Sequence, residues 1–529
     1  MANRRLPGHR HRQSSVAIRY RRGALSPRWP DLCVLLAVSG VMAAASPIAR
    51  AEPAEFQFRD VRTMRGPCCS DWGSDLVVDR EGSVLVAGRR GSLDLDNDGD
   101  IDVPTRGQPD PLISKFVFSG DGAPGWTKDV GSPGDDTARG VASDLEGGLY
   151  AVGHFSEDMA FAKGVLRSEG GKDGFIARYD RDGVPLWARA IGGRGLDEMY
   201  RVATDTRGRA VLVGTVTGEV DIDRDGTVDV VGTPKGSALV AAYTPDGELA
   251  WARVSGGEAR VLGLGIATGR EDAIYIAGAY MDGAPDFDAD GQPDGPVAVS
   301  RESRGPDGSP QYDLNAYYAR LEADGRVAWI RVVSGPSIQT AGGLAVAENG
   351  DLFVLGGHSA ASDLDGDGVA DIQFHSMGDR KYEHDIDANL FLLRVDPQGK
   401  WLWTKTYTAS GTHLSAQGSR ILVSGTYGSD LDFDNDGVLE RESDGDDRKE
   451  GFLAILNDRG ELQQLLTVVG DAADVVNAAS LSPDGRTLYT TGYTQLGADF
   501  DGDGKVEAAS VCHLAGEIYV ARYELEKKE

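Results

Sequence analysis

FIARYDRDGVPLWARAIGG (residues 175–193) and LVAAYTPDGELAWARVSGG (239–257) are two copies of one pattern. In each, alternating apolar and polar residues run into a Gly-containing turn and out again, as two short antiparallel strands do. The pattern recurs as YYARLEADGRVAWIRVVSG (317–335), FLLRVDPQGKWLWTKTYTA (391–409) and FLAILNDRGELQQLLTVVG (452–470). Between these hairpins lies a second kind, such as YRVATDTRGRAVLVGTV (200–216) and AASLSPDGRTLYTTGYT (478–494). Their turns are rich in Asp, Asn, Pro and Gly, each suited to a turn geometry. One repeat is therefore four strands, a to d. Its second strand ends in a Gly-containing motif, near Gly88, Gly153, Gly214, Gly278, Gly356, Gly425 and Gly492. Seven stacked units of four antiparallel strands predict an all-β chain, a seven-bladed β-propeller.

The two ends complete the count. IYVARYE (518–524) reads as a strand c with no d after it, and FQFRDV (56–61) as a strand d with no c before it. Pairing the two closes the ring and leaves no free sheet edge. Five d strands carry Trp at one place, Trp126, Trp187, Trp251, Trp329 and Trp403, with Leu465 in the sixth hairpin. Blade-to-blade packing is the expected role of these rings.

Residues 1–51 read as a signal peptide, with 52–529 as one propeller domain. The first 30 residues are basic, Leu32–Ala45 is a short apolar run, and Ala49-Arg50-Ala51 supplies a small-x-small cleavage site. The expected location is secreted, periplasmic or cell-surface, with no further apolar span. Without that segment the chain carries 45 Lys+Arg against 82 Asp+Glu, a net of −37. Such a surface repels nucleic acid. Cys68, Cys69 and Cys512 remain; if the ends pair, one of the first two comes near Cys512, and an oxidising compartment would allow a bridge.

The acids are concentrated in six nonapeptides between strands b and c: DLDNDGDID (94–102), DIDRDGTVD (221–229), DFDADGQPD (286–294), DLDGDGVAD (363–371), DFDNDGVLE (432–440) and DFDGDGKVE (499–507). All fit D-x-D-x-D-G-x-x-[DE]. This spacing lets the carboxylates at positions 1, 3 and 5 converge on a cation, while Gly at 6 allows a sharp turn and 7 offers its backbone carbonyl. The expected ligands are Asp94, Asp96, Asp98, Asp100 and Asp102; Asp221, Asp223, Asp225, Thr227 and Asp229; and Asp286, Asp288, Asp290, Gln292 and Asp294. The other three loops offer Asp363, Asp365, Asp367, Val369 and Asp371; Asp432, Asp434, Asp436, Val438 and Glu440; and Asp499, Asp501, Asp503, Lys505 and Glu507. An all-oxygen, acid-rich shell suits Ca²⁺, at about six sites. The second repeat has SEDMAFAKG (156–164) instead and is expected to be metal-free.

The nonapeptide resembles the start of an EF-hand loop, but position 12 holds Thr105, Gly232, Val297, Phe374, Ser443 or Ser510 in place of the usual acid. It also resembles the loops of integrin-type FG-GAP propellers. SEGGKDGFIARYD (168–180) is similar to the S-x-G-G-x-D-x-F-V-A-[KR]-x-D segment of the SBBP bacterial β-propeller repeats. That resemblance covers nearly all of residues 55–525 and implies the propeller fold, but no activity.

No G-x-S-x-G, H-E-x-x-H or P-loop occurs, and His154, His358, His375, His384, His413 and His513 are scattered. No catalytic residue is assigned. The expectation is a monomeric, calcium-stabilised protein for binding, adhesion or surface scaffolding, with a protein or glycan as partner. The alternative is an extracellular hydrolase or lyase with its site at the channel. Two inserts, 295–314 and 372–388 (IQFHSMGDRKYEHDIDA), thicken the loop face, where recognition usually sits.

Overall fold

A computed structural model describes residues 54–526 except 67–70, 96–97, 99, 119–123, 162–163, 299–302, 305–309, 312–313, 337, 374–388, 429, 443–447 and 509–515. Pro53–Glu529 forms one compact unit. Cys68, Cys69 and Cys512, three of the histidines and most of the second insert lie outside the described residues, as does the basic and apolar leader.

The described chain makes seven four-stranded antiparallel blades. In the third, Glu198–Thr204 is strand a, Ala210–Val216 b, Ser237–Tyr243 c and Leu249–Val254 d. Each strand a touches that of the next blade, and the seventh touches the first, so the a strands form a closed inner ring. Strands b and c are packed by a neighbouring blade on either face. They therefore read as continuous apolar runs, such as AVLVGTV, buried along its whole length. Strand d lies at the rim and is less buried, as in PLWARAI, where only Ala190 and Ile191 are buried.

Seven apolar clusters fill the spaces between blades. In one, Tyr150, Val152 and Ile176 of blade 2 interleave with Met199, Leu212 and Leu239 of blade 3. The d-strand tryptophans work across the same seams. The indoles of Trp126, Trp187, Trp251 and Trp329 donate to the carbonyls of Arg181, Pro245, Ala323 and Pro397 in the next blade's c–d turn, at 3.3, 2.7, 3.1 and 3.0 Å. Glycine in that turn lets the ring lie flat against the backbone: a Cβ at Gly183, Gly247, Gly325 or Gly399 would run into it. The expected packing role is the observed one.

The ring closes as its orphan strands require. Blade 7 takes a, b and c from Val475–Leu481, Thr487–Thr494 and Glu517–Glu526, and its outermost strand is Glu55–Met64 from the other end of the chain. Glu55 pairs with Glu526 and Met64 with Ile518.

Every blade also bends strand a at one place. The a–b register skips a residue at Ser74, Arg139, Tyr200, Leu264, Gly342, Thr412 and Asn477, a β-bulge in each of the seven. The glycines that mark strand b lie across from this kink. A Cβ on Gly88, Gly153, Gly278 or Gly492 would collide with the carbonyl oxygen of Trp72, Thr137, Leu262 or Val475. Close backbone approach, rather than a turn, holds glycine at this place.

Candidate metal sites

The six nonapeptides all leave strand b and return to strand c, on the face that also carries the d-to-a crossovers. Each is sewn to the crossover arriving from the preceding blade. Asp94 bridges to Arg65, Asp221 to Gly192 and Asp363 to Ser334. Asp286 pairs with Gly256 and Asp499 with Val469, while Thr408 donates to the Phe433 carbonyl at 3.2 Å. Blade 2 keeps the stitch without the acids. Its Ala160 bridges to Gly131, and a short hairpin of Met159–Phe161 against Gly164–Leu166 replaces the loop.

Position 2 anchors each loop from below. Ile222, Phe287, Leu364, Phe433 and Phe500 are buried in five of the inter-blade clusters. Phe433 stacks on Tyr407 at 4.7 Å, and Phe287 meets Tyr317 at 4.4 Å. The loop is thus fixed by an apolar plug, leaving its flanking carboxylates above the seam.

Backbone N–H groups then fold the loop around its acids. The acid at position 9 accepts from the N–H of position 2 in all six loops: Asp102 from Leu95, Asp229 from Ile222, Asp294 from Phe287, Asp371 from Leu364, Glu440 from Phe433 and Glu507 from Phe500, at 2.6–2.8 Å. The acid at position 1 accepts from the glycine at 6, as Asp432 does from Gly437 at 3.0 Å and Asp499 from Gly504 at 2.8 Å. That at 5 accepts from position 7, seen in Asp225 with Thr227, Asp290 with Gln292, Asp367 with Val369 and Asp436 with Val438. Positions 4 and 6 both need the left-handed region. Gly226 and Gly437 have φ of 92° and 87°, and the non-glycine residues Arg224, Ala289 and Asn435 are held at 63°, 58° and 60°. Such a backbone costs energy and persists where its surroundings demand it.

The result is a converging set of oxygens. One carboxylate oxygen from each of Asp432, Asp434, Asp436 and Glu440 lies within 4.8 Å of the others, and Asp499, Asp501, Asp503 and Glu507 form an equivalent group. Three acids converge in the remaining described groups: Asp221, Asp223 and Asp225; Asp286, Asp288 and Asp290; Asp363, Asp365 and Asp371. Asp229, Asp294 and Asp367 stand outside these groups. In the first loop Asp96 lies outside the described residues; Asp94, Asp98, Asp100 and Asp102 keep the same turn pattern, Asp98 accepting from Asp100 at 2.9 Å.

These groups fit a hard cation. Asp221 Oδ1 and Asp434 Oδ1 are buried with no hydrogen-bond partner. Burial, and after it the neighbouring carboxylates, raises Asp223, Asp294, Asp434, Glu440 and Glu507 above the usual carboxylate range. In the last loop the Lys505 ammonium pairs with Asp503 and offsets part of the charge.

A second kind of carboxylate, unnoticed in the sequence, supports the same face. Asp71, Asp136, Asp197 and Asp474 each precede a strand a and are buried. Asp197 accepts from Gly193 N–H at 2.9 Å and Thr217 N–H at 2.8 Å, tying the crossover to the end of strand b. Burial pushes Asp71 up to about 7 and Asp474 up to about 8.

In the channel, Asp75, Arg201 and His413 from blades 1, 3 and 6 line a void of about 180 Å³ otherwise walled largely by Gly, Ala, Val, Leu and Ile. His413 Nε2 is 3.6 Å from Asp75 Oδ1, and Nδ1 is buried without a partner. Burial lowers this imidazole to about 4, so it is neutral at physiological pH. Asp75 is held by the N–H groups of Leu76 and Val141 at 3.0 and 3.1 Å. His154 and His358, equivalent at the end of strand b, are both buried. Among the described residues no helix is long and apolar enough to cross a membrane.

No protein-family model matches the chain, and no curated protein does. Among solved structures, BamB from Moraxella catarrhalis is 11% identical over 89% of this chain and 100% of its own, with a TM-score of 0.39. A protein of unknown function from Dyadobacter fermentans is 11% identical over 90% of this chain and 99% of its own, TM-score 0.38. A gluconolactonase from Xanthomonas campestris is 11% identical over 90% and 99%, TM-score 0.31.

Proposed function

We propose that this chain is an exported, calcium-loaded propeller whose ions fasten each loop over the seam between two blades, giving a rigid scaffold for binding at its surface. The observation that carries the reading is the repeated convergence of carboxylate oxygens within 4.8 Å, on loops already bridged to the preceding blade. Several acids crowded in one small loop repel one another unless a cation neutralises them, and oxygen-only donors favour calcium over softer metals. The basic and apolar leader ending at Ala51 supports export. Elemental analysis of the mature protein, dialysed against metal-free buffer after calcium loading, tests this. About six Ca²⁺ per chain are expected; absence of stoichiometric calcium would defeat the proposal.

Catalysis in the channel is the alternative, with the neutral His413 imidazole beside Asp75 in its favour. A hydrolase or lyase screen in which the wild type turns over a substrate and H413A does not would move the reading there.

A further inference from the structure

Above blade 3, on the loop face, lies a cleft of about 690 Å³. This is within the range of small-ligand sites. Its lining comes from well-separated parts of the chain: Lys172 before strand c of blade 2, Arg194 in the following crossover, Lys235 after the blade 3 loop, and Arg260 opening strand a of blade 4. Four cations meet one carboxylate, Glu198, in a protein whose net charge is −29. Local charge here opposes the charge of the whole.

The cations differ in what holds them. Lys172 is already engaged, 3.4 Å from Glu198, 3.4 Å from Asp135 and 3.1 Å from His154 Nε2. Lys235 is fixed by the backbone carbonyls of Glu258 and Asp282 at 2.8 and 2.7 Å. Arg194 and Arg260 have no carboxylate partner among the described residues, despite the surplus of acids. Between them the floor is polar in a different sense. Tyr200 donates its hydroxyl to Glu198 Oε2 at 2.6 Å and Lys172 donates to Oε1 at 3.4 Å, so each oxygen keeps a further lone pair. Thr215 is 8% exposed, lines the cleft, and its Oγ1 has no hydrogen-bond partner. Leu196, 61% exposed, forms an apolar shelf at the rim.

We propose that this cleft binds a sugar acid, a carboxylate carried on a polyhydroxylated ring. The two unpaired guanidiniums match a carboxylate in shape and charge. The remaining lone pairs of Glu198 favour a ligand that also brings donors, which ring hydroxyls supply and a bare anion does not. The unpartnered Thr215 hydroxyl finds its bond with the same ring, and Leu196 covers its C–H face. A long polyanion is disfavoured, because the surface beyond the cleft repels it. The inference names a ligand for the binding role proposed above, and none of the cleft residues is a metal-loop acid.

The test is calorimetric titration of the mature chain, calcium-loaded, with D-glucuronate, D-glucose and inorganic phosphate. Glucuronate is expected to bind at least about tenfold more tightly than either of the others. R194Q and R260Q should each weaken it by about tenfold, and raised salt should weaken it further. T215V, which conserves shape, should weaken it by a smaller factor with unchanged melting. No glucuronate binding, equal binding of phosphate, or binding indifferent to R194Q and R260Q would each overturn the proposal. Calcium stoichiometry measured on the same sample separates this outcome from failure of the metal reading.

Discussion

Substituting Asp434 by Asn should stabilise the protein without calcium and destabilise it with calcium. Asn has the same shape and removes one charge from a group whose oxygens lie within 4.8 Å. Two unit charges at that separation repel by roughly 0.9 kcal/mol in bulk water, and by about half that at physiological salt. Relief from Asp432, Asp436 and Glu440 together is therefore worth on the order of 1 kcal/mol in the metal-free protein. With calcium tenfold above its dissociation constant, one site contributes about 1.4 kcal/mol, and losing a charged ligand forfeits most of it. Pro53–Glu529 spans ~480 residues, so its unfolding entropy is about 1 kcal/mol per degree. D434N should melt ~1 °C above wild type in EGTA and ~0.4 °C below it in calcium, where ~1.4 kcal/mol of lost binding outweighs ~1 kcal/mol of relief. Wild type itself should fall by about 8 °C on chelation, if six sites act independently. Differential scanning fluorimetry on the tryptophans reads all four states. A shift of the same sign in EGTA and in calcium would refute the electrostatic argument, whatever its size.

Phe433→Ala removes the plug beneath that loop and should cost about 3–5 kcal/mol, seen as a lower denaturation midpoint in calcium and in EGTA alike. Asp474 binds its proton more tightly folded, at about 8, than unfolded, at 3.8. Its contribution is therefore complete below pH 3.8, is lost as pH rises towards 8, and is constant beyond. Wild type minus D474N should lose stability by on the order of 1 kcal/mol per pH unit at most between pH 5 and 8, and urea midpoints rising over that range would contradict this. Deleting residues 53–64 exposes the edge of Glu517–Glu526, and size-exclusion chromatography should show association absent from the intact chain.

The fold was legible because its unit is repeated. One hairpin such as FIARYDRDGVPLWARAIGG is ambiguous, but copies with Trp and Gly in register fix four strands and seven blades, and two orphan strands fix the closure. The acidic loops were legible as spacing alone. Their apolar second residue stood in plain sight in DFD and DID, yet its burial follows from the loop being stitched down over a seam. The left-handed conformation at Arg224 and Ala289 has no signal in those residue types. Asp71, Asp136, Asp197 and Asp474 escaped notice because single aspartates before a strand look like turn residues; only folding reveals which N–H groups they satisfy. The cleft was invisible for a plainer reason. Lys172, Arg194, Lys235 and Arg260 belong to different blades and connections, and adjacency arises only when the sheets are set side by side.

The pairing of Glu55–Met64 with Glu517–Glu526 also dictates an order of events. The first strand made is the last to dock, since its partner is synthesised more than 450 residues later. Until then it must stay out of the six blades already able to assemble, and final cohesion arrives in a single late step. A ribosome stall or truncation near the C-terminus would therefore leave six blades and part of a seventh without their closing strand pair, vulnerable to proteases despite carrying almost all of the native contacts.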